Sequence, residues 1–162
     1  MARPSADRIR ASVFDRLLDP IGEGRRPVTI DVRELRAVVA RDIEAMLNSK
    51  TVLGHDARVE PLEEACVSIL TYGLPDLSNF SWKSATDTRL VCNEIAAAVK
   101  AFEPRLVAST VRVTPMPVVD VSEFRMRFRI EGLLQVEPIA EPVSFDSSML
   151  TDPGMIRVED AT

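Results

Sequence analysis

The chain has one histidine, His55, and two cysteines, Cys66 and Cys92, so the common catalytic routes can be tested residue by residue. Nucleophilic catalysis needs a base within hydrogen-bond reach of a serine, cysteine or threonine. Any histidine-based triad therefore depends on His55, which falls in the polar stretch 50–60 and reads as a solvated loop residue. Cys66 and Cys92 lack CxxC spacing and a second histidine nearby, which argues against zinc and for buried free thiols. Gly22-Glu23-Gly24, followed by two arginines, lacks the strand and helix that must flank a phosphate loop. Glycoside hydrolysis needs two carboxyl groups across a cleft, one with a raised pKa. Glu94 and Glu103 are about 13 Å apart along one helix and face different directions. Arg105, two residues from Glu103, is the wrong neighbour for a general acid. No catalytic set, metal or cofactor is expected.

Glu103 still stands out for its position. Val91, Ile95, Val99 and Phe102 recur at three- and four-residue spacing, so residues 85–102 read as an amphipathic helix, with Ser84 as its cap and Asp87 three residues on. Pro104 lacks an N–H and disfavours helix at the residue before it, so the helix should stop at Phe102 or Glu103. An acid is mildly unfavourable at that end of the helix dipole, whereas a cation such as Arg105 is favoured. Glu103 therefore needs a partner, and a corner leading into the β-like run 107–113 presents it to one. Glu103, Pro104 and Arg105 form the leading candidate for a partner-binding site.

The other elements frame this corner. Residues 1–27 read as a flexible N-terminal arm rich in Pro and Gly, with an apolar island at Val13, Phe14, Leu17 and Leu18. An amphipathic turn or two is not stable alone, so Phe14, Leu17 and Leu18 should dock, on the chain's own body or on a partner. From residue 28 onward the chain reads as a single domain. Asp31 with Glu34 predicts a capping box opening a helix that ends by Asn48 or Ser49. At 61–72, Pro61 with Glu63 and Glu64 suits a helix start, while 67–72 favours a strand, and the strand is preferred. Residues 77–84 should be a loop that buries Phe80 or Trp82. Phe124, Met126, Phe128 and Ile130 alternate with arginines and Glu131, a period of two with one buried face. That strand should run on to Glu137, with a bulge at Gly132. Strands at 143–150 and 155–158 follow, with a turn at 151–154. The expected fold is α+β: two main helices packed on one face of a small, mainly antiparallel sheet. Its 143–150 margin should stay unpaired, with acids along it.

On the outer sheet face, Arg125, Arg127 and Arg129 would repel one another unless acids lie opposite. Glu137 and Glu141 are the nearest acidic candidates, with a solvated face or an acidic partner as the alternatives. The net charge of −5 argues against nucleic acid, where affinity comes largely from phosphate neutralisation. No apolar run reaches the roughly 20 residues of a membrane span and no signal-peptide pattern opens the chain, so a cytoplasmic location is expected. The charge is uneven: the first 26 residues are rich in arginine, while the tail after Glu131 is acidic. Such asymmetry suits assembly with several partners.

The corner Phe102-Glu103-Pro104-Arg105-Leu106 resembles the signature of the small wedge proteins of contractile-tail baseplates, once labelled lysozyme-like. Passages 12–18, 41–48 and 72–77 agree with that family in the same order, so the resemblance covers about residues 12–145. Within the family the chain is most similar to TssE, the type VI secretion baseplate subunits. The resemblance implies a structural, non-enzymatic subunit that joins larger wedge subunits and provides the platform for the contractile sheath, whose proteins it would take by strand addition. A peptidoglycan-cleaving glycosidase, which rests on the old label, and a stand-alone adaptor domain are the alternatives. The acidic tail after Leu150 matches no family pattern.

Overall fold

The computed structural model describes residues 9–10, 29–51, 68–81, 84–117, 125–136, 140–150 and 155–161. The order is β1 (Ile9–Arg10), β2 (Thr29–Ile30), α1 (Val32–Leu47), α2 (Ala85–Phe102), a 3-10 turn (Ala108–Thr110), β3 (Arg112–Pro115), β4 (Arg125–Leu134), β5 (Glu141–Leu150) and β6 (Ile156–Asp160). Both helices start as their sequences require. The Asp31 side chain accepts from the Glu34 N–H at 2.7 Å, and Glu34 accepts from the Asp31 N–H at 3.0 Å, satisfying donors that a helix start leaves orphaned. Ser84 accepts from the Asp87 N–H at 3.2 Å to open α2. The α2 helix ends at Phe102, with Glu103 as its C-cap, as Pro104 dictates.

Strands β3–β4–β5–β6 form one antiparallel sheet in that order. The period of two in β4 and β5 buries Phe128, Ile130, Val143 and Phe145 on one face, where they meet Val39 and Ile43 of α1 and Val91, Ile95 and Val99 of α2. The fold is the expected α+β arrangement. β1 and β2 form a separate ladder with Ile9 opposite Ile30, and both isoleucines pack against the core. Phe80 is also partly buried against the core. Trp82, His55, Cys66 and the island Phe14, Leu17 and Leu18 lie outside the described residues.

Several local expectations are corrected. Residues 68–71 form bends and turns, not a strand, closed by the Thr71 N–H on the Ser68 carbonyl at 3.1 Å. Only part of 107–113 is strand, because Ala108–Thr110 makes a 3-10 turn before β3. There the Thr110 hydroxyl accepts from the Leu133 N–H at 3.0 Å, standing in for a backbone acceptor. Gly132 makes no bulge: the β4–β5 register is unbroken from Arg125↔Leu150 to Leu134↔Glu141. β4 stops at Leu134, short of Glu137, which lies outside the described residues. The acid opposite Arg129 is Asp146, at 2.7 and 3.0 Å, and Glu141 instead pairs with Arg36 of α1. A cross-strand neighbour is set by register, which nearness in sequence does not reveal.

The sheet margins also differ from expectation. β5 is interior, flanked by β4 and β6. The Ala161 N–H bonds the Ser144 carbonyl, so Arg157 and Glu159 turn their backbone groups toward β5, and Ile156 and Val158 turn theirs outward. Three of those four outward groups are bonded by side chains of α1 and its C-cap residue, Asn48. Asn48 accepts from the Ile156 N–H at 2.9 Å and donates to the Ile156 carbonyl at 2.8 Å. Glu44 accepts from the Val158 N–H at 2.8 Å. Four helical residues advance about 6 Å and two strand residues about 6.7 Å, so one helical face can serve alternate strand positions. On β3, the Met116 N–H bonds the Arg127 carbonyl, which leaves Val113 and Pro115 facing outward. Pro115 has no donor to offer, and proline blunts an edge.

Candidate functional site

The corner after α2 is tied to three elements. The Glu103 N–H closes the last helical bond, to the Val99 carbonyl at 3.0 Å. The Gln135 N–H donates to the Arg105 carbonyl at 2.8 Å, and the Val107 N–H to the Leu133 carbonyl at 2.9 Å. These bonds add the corner to the end of β4. The Arg105 side chain then reaches back to α1.

Glu103 is 4% exposed, although carboxylates are rarely buried unless paired. Its pairing is complete within the chain. Arg105 Nε donates to Oε1 at 2.6 Å, Nη2 to Oε2 at 2.5 Å, and the Arg105 N–H to Oε1 at 3.1 Å. The same Nη2 donates to Asp42 of α1 at 2.8 Å. Burial alone disfavours the charged guanidinium, but the bonds to Glu103 and then Asp42 outweigh it, and Arg105 is held above its ordinary value. Asp42 also pairs with Arg41 at 2.9 Å. The partner that Glu103 requires is therefore Arg105, and the two cross-brace both helices. Pro104 stays exposed at the tip.

Beside this brace runs a groove of about 480 Å³, lined by Ile43, Met46, Tyr72 and Phe102, with Asp42 and Arg105 among its polar groups. Tyr72 and Phe102 meet edge to face, with centroids 5.2 Å apart at 74°. Burial, with help from Asp42 and Glu103, pushes the Tyr72 phenol above its ordinary value. Tyr72 is placed by Gly73, whose φ of +105° is a left-handed conformation. A Cβ at Gly73 would lie 2.2 Å from the Ser49 carbonyl oxygen, the atom that accepts the Leu74 N–H.

Sequence reasoning placed Glu103, Pro104 and Arg105 together, and the structure keeps them so. It missed Asp42 and Tyr72 as members of the site. Their only signal was that 41–48 and 72–77 carry the resemblance. Phe14, Leu17 and Leu18 cannot be placed against the corner, being outside the described residues. Both oxygens of Glu103 are engaged by Arg105, an arrangement unlike an acid that faces a cleft with a second carboxyl group. Among the described residues no cluster of histidine, cysteine or acids has the arrangement of a metal site, and no helix is long and apolar enough to cross a membrane.

Residues 33–139 match the family described as Baseplate wedge protein gp25. The chain belongs to that family. The match spans α1, α2, the corner and β4, so the braced unit is the family's own part of the chain. Membership in the baseplate wedge family supports a structural role in the baseplate of a contractile tail, in assembly with other baseplate subunits. No curated protein and no solved structure matches the chain.

Proposed function

We propose that this chain is the wedge subunit of a type VI secretion baseplate, of the TssE kind, without catalysis of its own. It would act in the cytoplasm, joining larger wedge subunits and providing the platform for the sheath. The observation that carries this reading is the buried Glu103–Arg105 pair tied to Asp42, which holds an exposed proline at a rigid corner. A rigid protrusion pays little ordering entropy when a partner docks on it. Pro104 and the outer side of Arg105 would touch the partner, with Glu103 as the positioning residue and Phe14, Leu17 and Leu18 as an apolar anchor. Sheath proteins would add a strand at β3, where Val113 turns its N–H and carbonyl outward.

The test is affinity purification of the tagged chain from its native host, read by mass spectrometry. The larger wedge subunits should be retained, and Pro104→Asp should release them while leaving the melting curve unchanged. Recovery of other proteins only, or retention of the wedge by Pro104→Asp, would sink the corner as the junction. Val113→Pro should abolish sheath foci in fluorescence imaging while wedge co-purification persists. Cell-wall zymography should show no clearing; clearing lost on Glu103→Gln would favour the glycosidase instead.

A further inference from the structure

The outer margin of β6 carries an arrangement that neither the proposed junction at the corner nor strand addition at β3 uses. Its outward positions are Ile156, Val158 and Asp160; Asn48 holds both backbone groups of Ile156, and Glu44 holds the N–H of Val158. These are side chains standing where a neighbouring strand would stand. The amide of Asn48 offers both an acceptor and a donor, so it can match both backbone groups of Ile156 as a peptide unit would. The strand beneath is complementary to itself. If two copies of β6 pair antiparallel about Val158, then Val158 faces Val158 and Ile156 faces Asp160. Those are the outward-facing positions, so the backbone bonds can form. In the same register Arg157 of each copy faces Glu159 of the other, and both are exposed on the outer sheet face. Opposite charges placed directly across a strand pair are favourable. Backbone parity and charge thus agree on one register.

We propose that β6 is a latent self-pairing strand, latched by Glu44 and Asn48, and that its partner is a second copy of this chain. With the latch closed, the Ile156 and Val158 donors that an incoming copy would need are already satisfied. With the latch open, two four-stranded sheets join into one of eight strands through β6.

The experiment is sedimentation velocity on the full chain over a wide concentration range, comparing wild type with Glu44→Ala/Asn48→Ala. The wild type should keep its monomer mass, while in the double variant the mass doubles as concentration rises. Adding Arg157→Glu should return the variant to monomer, because each glutamate would face Glu159 of the other copy. Adding Glu159→Arg as well should restore the dimer. Asn48→Ala alone, which frees only the Ile156 groups, should dimerise more weakly with the same response to Arg157→Glu, and it serves if the double variant fails to fold. A folded latch variant that stays monomeric throughout overturns the proposal. So does association that is indifferent to Arg157→Glu, which would be non-specific.

Discussion

Arg105 grips Glu103 through both carboxylate oxygens, at 2.6 and 2.5 Å, and uses the same guanidinium to reach Asp42 on the other helix at 2.8 Å. One side chain thereby neutralises a buried acid and ties the end of α2 to α1. Bidentate pairing of this kind suits arginine and not lysine, whose ammonium is a point charge.

Arg105→Ala should therefore cost stability as well as assembly. Breaking a buried pair by removing one partner leaves an unpaired buried charge, and about 3 kcal/mol is expected because Arg105 itself is partly exposed. Glu103→Gln removes the charge and keeps an acceptor, so its loss should be smaller. Urea unfolding of the two variants checks the order. An equal loss, or none for Arg105→Ala, would mean the pair does not brace the corner.

Gly73→Ala should be among the more damaging single changes outside the core. Its Cβ would strike the Ser49 carbonyl oxygen, and φ is +105°. Left-handed strain costs about 1–3 kcal/mol, and loss of the Leu74–Ser49 bond would add to it. Thermal melting reads the change, and Tyr72 fluorescence reports whether the groove opens.

Tyr72 is the chain's single tyrosine, so its titration can be followed by ultraviolet absorbance without overlap. The phenol should ionise above its ordinary value of 10.0, mainly through burial and secondly through Asp42. The folded state then holds this proton longer than the unfolded chain does. Stability from this group is thus complete below about pH 10 and is lost as pH rises through the folded value. Asp42→Asn should bring the transition part of the way back. A full return to 10.0 would show that burial is not the main cause.

Asp146 works in the opposite direction. Its bonds to Arg129 hold its carboxyl below the usual 3.8. The unfolded chain takes up this proton first, so the contribution is present above the unfolded value and is lost as pH falls through the lower folded one. In Arg129→Ala the Asp146 resonance should titrate nearer its ordinary value in carbon-detected NMR. An unchanged titration would show that the cross-strand pair is not formed in solution.

What the sequence by itself determined was local. The Asp31–Glu34 box, the Ser84 cap, the stop imposed by Pro104 and the two-residue period of β4 each involve residues a few positions apart. Their physics operates within a turn or a pleat, so they could be read before any fold was known. Tertiary structure alone decided which distant groups meet: Asp42 with Arg105, Arg36 with Glu141, and Glu44 and Asn48 with the margin of β6. Those pairings lie 63 to 114 residues apart. They depend on strand order and on register, where a slip of one residue turns every side chain to the other face. The expected free margin at 143–150 illustrates the difference. Its residues are strand in themselves, but only the placement of β6 beside them, and of α1 beside β6, decided that the margin is covered.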